Sequence, residues 1–400
     1  MRRSILISAT FISLLLACNP PEESSTGSGL LEFWPREGPE LLWKYDGLGT
    51  GYGGPLISSE GIYINGEENG KSYTFCLDHQ GTLQWRTPNG TEFMGKDYSA
   101  SYPGTRSSPA IKGRQVYAVS GTGHLSCFDK DKGTVIWSVD LVKDFNGVAG
   151  EFGYSATPAV DEHKVYCFAG GYENNMVALD RFTGKLIWSS RVKQDYFSYG
   201  TPILLNLPES KVLVGTSRNY IHVVDRQDGK LLSSYRLEDI KYGYEHCNSV
   251  IYKDEHIYFV PSEEHGQGSV KLHLSEDGEI LAEVWRNEKV VNIFEGFVVT
   301  DKSLYTTMEN KKLLVLDTET GRIEKSVRAE SGSIVYSDNK LIIYGHNGRV
   351  QLFSLKEGIP ELKSEVRIRA GSGHHFSFPV IDDGVMYIRR GHALMAFAVR

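Results

Sequence analysis

Cys127-Phe128-Asp129-Lys130-Asp131-Lys132-Gly133-Thr134-Val135-Ile136-Trp137 decides the fold, because the chain writes the same phrase on either side of it. Upstream it reads Cys76-Leu77-Asp78-His79-Gln80-Gly81-Thr82-Leu83-Gln84-Trp85, and downstream Ala178-Leu179-Asp180-Arg181-Phe182-Thr183-Gly184-Lys185-Leu186-Ile187-Trp188. The three tryptophans stand about 50 residues apart, and such a period, built from short apolar runs and turn residues, marks a radial array of small sheets. Each residue type has a reason to be there. Asp accepts backbone N–H groups across its turn, and Gly supplies the positive φ that closes it. Trp at the end of the following strand offers a large apolar face to the neighbouring sheet.

A second interval lies upstream of each turn. Pro55, Pro109, Pro158 and Pro379 each precede a tyrosine (Tyr63, Tyr117, Tyr166 and Tyr387) by eight residues. The stretch from Pro to Tyr reads as a strand, a polar turn and the start of a second strand; with the strands before and after the Asp–Gly turn, each unit has four. Pro lacks a donor, so it belongs at a sheet edge, and the innermost strand of a propeller blade is one. Degenerate copies follow from Pro202, Val250, Tyr305 and Leu341, with Ser233 and Lys325 in two of the Trp slots. The last copy, from Pro379, stops at Arg400 before its outer strand. Glu40-Leu41-Leu42-Trp43-Lys44 near the other end supplies that strand. The expectation is therefore all-β: eight four-stranded antiparallel blades, closed by the N-terminal strand pairing with the C-terminal blade. Trp43, Trp85, Trp137 and Trp188 are the expected blade-docking residues.

Composition agrees with a folded, strand-rich chain: 400 residues, 40% hydrophobic and 11% aromatic, with 42 Gly. The formal charge is −7 with no basic block, which argues against nucleic acid as a partner. Arg2-Arg3 followed by Ile5 to Leu16 reads as a signal segment too short to span a bilayer. Leu15-Leu16-Ala17-Cys18 resembles the bacterial lipobox, so residues 1–17 are expected to be removed and Cys18 to carry lipid. Residues 18–38 then read as a lipidated Cys and flexible tether, and 39–400 as the propeller. The absence of Asp after Cys18 points to the outer membrane, facing the periplasm, with surface exposure as the alternative. Cys76 and Cys127 share a slot with Ala178, which suits small buried side chains; the pairing state of Cys167 and Cys247 is left open.

The A-L-D-x-x-T-G-x-x-x-W phrase resembles the repeat of the pyrroloquinoline-quinone (PQQ) propeller family, over nearly everything from Pro39 to Arg400. That resemblance implies two kinds of function. Compact lipoproteins similar to the propeller subunit of the outer-membrane β-barrel assembly machinery bind partners without chemistry. Quinoprotein alcohol dehydrogenases use PQQ with calcium, and typically a vicinal Cys pair that this sequence lacks. The expectation is a lipid-anchored, monomeric binding module with no cofactor; the alternative is a PQQ-dependent alcohol dehydrogenase.

No catalytic or metal-ligating constellation is legible. The segments entering each inner strand are long and aromatic, and they all converge on one mouth of the channel. Tyr52, Tyr102, Arg106, Tyr154, Tyr199, His246, Glu295, His374 and His375 are the candidates there for holding a protein partner or a small ligand.

Overall fold

The computed structural model describes residues 29–237, 246–262, 268–293 and 296–400. Eight separate four-stranded antiparallel sheets follow one another around a central channel. Blade 1 runs Leu56–Ser58, Gly61–Glu68, Lys71–Leu77 and Leu83–Thr91, from the channel outward. Blade 2 runs Ala110–Lys112, Gln115–Val119, His124–Asp129 and Val135–Asp140, and blades 3 to 7 repeat the plan as far as Arg367. Blade 8 takes Val380–Asp382, Val385–Arg390 and Ala393–Ala398 from the C-terminus, and its outer strand, Glu40–Tyr45, from the N-terminus. The ring closes as the sequence implies.

The registers explain the spacings. Tyr63, Cys76 and Trp85 are successive partners across blade 1; Tyr117, Cys127 and Trp137 take the same places in blade 2, and Tyr166, Ala178 and Trp188 in blade 3. A small residue between two rings lets Tyr and Trp meet over it, with centroids 6.0, 6.0 and 5.8 Å apart in the three blades. This is why the slot takes Cys or Ala. Cys76, Cys127 and Cys167 are buried and form no disulfide, and burial pushes the Cys127 thiol up to about 12.

Each Trp docks on the blade that follows. The indole N–H of Trp85 donates to the Lys130 carbonyl at 2.9 Å, that of Trp137 to Arg181 at 2.9 Å, and that of Trp188 to Arg226 at 3.1 Å. Trp43 does the same to His79, joining blade 8 to blade 1. The repeat Gly lies against that ring: a Cβ on Gly133 would sit 2.5 Å from Trp85, and one on Gly184 2.7 Å from Trp137. Gly is thus required twice, for its φ of +66° or +70° and for the indole of the preceding blade.

The residue after the repeat Asp also has two tasks. Its carbonyl takes the indole N–H, while its side chain reaches the inner turns near the channel. Lys130 pairs with Glu60, Arg181 donates to the carbonyls of Lys112 and Glu162, and Arg226 pairs with Asp161.

Two features depart from the sequence reading. Trp285 is a fifth docking residue, donating to the Thr318 carbonyl at 2.9 Å. It hides from the repeat because two register shifts lengthen its strand relative to the Gly278 turn. The packed chain also begins before residue 39. Leu30 and Trp34 are buried in the core shared by blades 7 and 8, and Trp34 N–H donates to Ser364 Oγ at 2.7 Å. Residues 1–17 and Cys18 lie outside the described residues.

Candidate functional site

Within a blade, the turn between its second and third strands and the connection to the next blade lie at the same end of the strands. These segments form one face. Those entering blades 2 to 5 are held at their roots by a belt of hydroxyls two residues before the inner strand. Ser108 N–H donates to Thr157 Oγ1 (3.1 Å), Thr157 N–H to Thr201 Oγ1 (3.1 Å), and Thr201 N–H to Ser249 Oγ (2.9 Å). The signal was present as Ser-Pro, Thr-Pro and Thr-Pro at 108, 157 and 201. A second root is Arg389, fully buried at the end of a blade 8 strand. Its guanidinium donates to Gly53 and Asn65 carbonyls, at 3.2 and 2.6 Å, fastening blade 8 to blade 1. Burial pulls its proton affinity down, and carbonyl oxygens supply the compensation.

Above these roots the aromatic loops meet across the mouth. Tyr102, which enters blade 2, lies 5.0 Å from His374, which enters blade 8, so the contact passes over blade 1. His374 stacks on Phe376 at 4.7 Å and 9°. Tyr52 packs on Phe376 at 5.8 Å, Phe152 on Tyr102 at 6.1 Å, and Tyr199 on Phe152 at 6.2 Å. The Tyr199 hydroxyl accepts the Phe152 N–H at 3.1 Å. Phe378, which also enters blade 8, reaches the Gly296 backbone at the entrance to blade 6. Of the residues expected at the mouth, Tyr52, Tyr102, Tyr199 and His374 are brought together there.

Arg106 is among these rings but is committed to them. Its guanidinium lies 5.5, 5.9 and 5.4 Å from the rings of Tyr52, Phe93 and Phe152, and donates to the carbonyls of Gly104 and Tyr102. Tyr154, His246 and His375 lie below the surface. The Tyr154 hydroxyl donates to the Ala169 carbonyl at 2.8 Å, and its ring covers Gly123. His246 is fully buried, with Nε2 at 3.1 Å from the Arg218 carbonyl and Nδ1 facing Ser262. His375 lies 2.6 Å from the Tyr344 hydroxyl, and burial, helped by Arg390 and Arg367, pulls it down to about 4. These three shape the loops from beneath. Glu295 lies outside the described residues.

What the face shows to solvent was only partly legible. Tyr98 and Tyr196 are 56% and 55% exposed, and Tyr172, in the turn between the second and third strands of blade 3, is 67% exposed. Met94, Val148 and Phe378 are exposed on the same loops. Below the aromatic layer, a cavity of 1490 Å³ is walled by inner-strand side chains such as Ile111, Val160, Leu204 and Tyr252.

Among the described residues no ligand set for a quinone's calcium is assembled. Glu92, a carboxylate buried beneath these loops, accepts the N–H groups of Phe93 (2.9 Å) and Gly121 (2.7 Å) at Oε1, while its buried Oε2 has no hydrogen-bond partner among the described residues. Among the described residues no three His, Cys, Asp or Glu side chains are grouped closely enough to hold a metal ion.

Eight blades, five of them docked on the next by a repeated Trp, with aromatic loops gathered over one mouth, define a β-propeller of the PQQ-like repeat class. The chain belongs to the family described as outer membrane protein assembly factor BamB, whose model matches residues 70–323. It is 26% identical over 218 residues to outer membrane protein assembly factor BamB of Bordetella pertussis, covering 52% of this chain and 50% of that one. With the Yersinia pestis protein of the same name it shares 23% identity over 270 residues, covering 64% and 63%. The chain thus spans between half and two thirds of the length of these curated relatives. The crystal structure of BamB from Moraxella catarrhalis superposes with a TM-score of 0.66 at 11% identity, over 90% of this chain and 99% of that one, which shows the shared fold.

Proposed function

We propose that this chain is a lipid-anchored scaffold of the cell envelope that holds a protein partner of outer-membrane assembly on its aromatic loop face and does no chemistry of its own. The observation that carries this reading is the concentration of exposed Tyr98, Tyr172, Tyr196, Met94, Val148 and Phe378 on loops at one end of the ring. Large apolar and aromatic side chains gathered in one exposed area suit a protein partner. The family supplies the kind of partner, and no calcium ligand set among the described residues supports PQQ. The lipid rests on the Cys18 motif.

The test is capture from solubilised envelopes. Tyr98→Ala/Tyr196→Ala is expected to lose co-purifying outer-membrane assembly proteins while keeping the parent's thermal midpoint. Undiminished capture would reject the face assignment. Cys18→Ala is expected to abolish labelling by radioactive palmitate, and PQQ added with calcium is expected to give no bound-cofactor spectrum.

A further inference from the structure

The loop face is not uniform in charge. Where blades 7 and 8 meet, exposed Arg367 ends the outer strand of blade 7, exposed Arg369 follows at the start of the connection, and Arg390 stands beside them at the end of a blade 8 strand. Arg390 is held in place by its own neighbourhood. Nε donates to the Gly373 carbonyl at 3.2 Å, and Nη1 to those of Arg369 (3.1 Å) and Ala370 (3.4 Å). Nη2 has no partner among the described residues.

None of the three arginines has a carboxylate within ion-pair distance among the described residues. The nearby acids are taken: Glu365 and Glu330 pair with Arg349, and Asp46 pairs with Lys44. In a chain of formal charge −7, three guanidiniums with no carboxylate partner among the described residues gather at one corner, and of these Arg390 alone is tied into the fold by hydrogen bonds to carbonyls. Beside them His374 and Phe376 form the flattest stack of the mouth, with His374 exposed.

We propose that this corner binds an acidic, aromatic-bearing peptide segment of a protein partner. Its carboxylates would sit on Arg367, Arg369 and the Nη2 of Arg390, and its ring on the His374–Phe376 stack. Guanidinium forks match carboxylates in a bidentate way, and their planes tolerate a neighbouring ring. A peptide touches only the corner, whereas an anionic lipid surface would meet the whole acidic molecule and be repelled by it. This inference rests on the scaffold reading above and adds the partner's chemistry to it.

The probe is a fluorescein-labelled peptide of alternating Glu and Tyr, with a Gln/Tyr peptide and phosphatidylglycerol vesicles as the comparison arms. The Glu/Tyr peptide is expected to bind the full chain with an affinity that falls as salt rises. Arg367→Glu/Arg369→Glu, two exposed sites, is expected to weaken it about tenfold or more, with unchanged near-UV circular dichroism and unchanged binding in Tyr98→Ala/Tyr196→Ala. Equal binding of the Glu and Gln peptides, or full binding by the charge-reversed variant, would overturn the proposal. So would binding of vesicles without binding of peptide. Failure here with partner capture intact removes the corner alone; peptide binding without capture from envelopes removes the scaffold reading alone.

Discussion

At the scale of single residues, the chain's stability is set by how an indole meets a glycine on the next blade. Trp137 is buried, its N–H is bonded to Arg181, and its ring lies on Gly184. Trp137→Ala is expected to cost about 3–5 kcal/mol, and Trp137→Phe, which removes the indole donor while the Arg181 carbonyl keeps the Tyr117 hydroxyl and Gln115 amide as donors, about 1 kcal/mol. Gly184→Ala adds only a methyl, but into a positive φ and against the indole, and is expected to cost about 2–4 kcal/mol. Urea midpoints order the three. The turn chemistry of this contact could be read from the sequence, since Asp, Gly and Trp each have a local reason. The pressure of Trp on Gly could not, because it joins residues from different repeats. Trp285 escaped for a related reason: bulges change the count of residues without changing the contact.

At the scale of elements, the inner turns are held to neighbouring blades by ions. Asp161 sits between blades 3 and 4, 2.5 Å from Arg226 and 2.6 Å from the Tyr166 hydroxyl, with the N–H groups of His163 and Lys164 at 2.8 Å. Burial alone would raise this carboxyl, but these donors outweigh it and hold it down at about 2. The group therefore stabilises the fold above its ordinary value of 3.8, and that contribution disappears as pH falls from there through about 2. Asp161→Asn is expected to be less stable at neutral pH and to show a flatter loss of stability between pH 5 and 2, measured by urea unfolding across that window. The loops of the opposite face were less legible than these strands. Their composition announced aromatic side chains at a mouth, and Tyr52, Tyr102, Tyr199 and His374 met there. Which rings point outward depends on loop paths without period. The burial of Tyr154 under Gly123 and of His246 against Ser262 was therefore invisible, as was the exposure of Tyr172.

For the whole molecule, the decisive fact is that both ends of the chain are spent on the same blade. Glu40–Tyr45 is the outer strand on Ala393–Ala398, and the segment before it lies in the seam between blades 7 and 8. Blade 7 has no Trp of its own in the outer-strand slot; Trp34 arrives from the N-terminus and bonds to Ser364 there. Trp34→Ala is expected to lower stability by about 3–4 kcal/mol. It should also speed hydrogen exchange first in Glu40–Tyr45 and Ala393–Ala398, because the seam guards the closing strand. Uniform acceleration over all eight blades would show that the ring opens nowhere in particular. The arrangement has a mechanical side. Tension applied to the chain ahead of Leu30 cannot reach the closing strand until the stretch from Leu30 to Gly38 has peeled from its seam. Under the lipid anchor proposed above, that short stretch would serve as a strain relief, taking up a tug before the closing strand feels it.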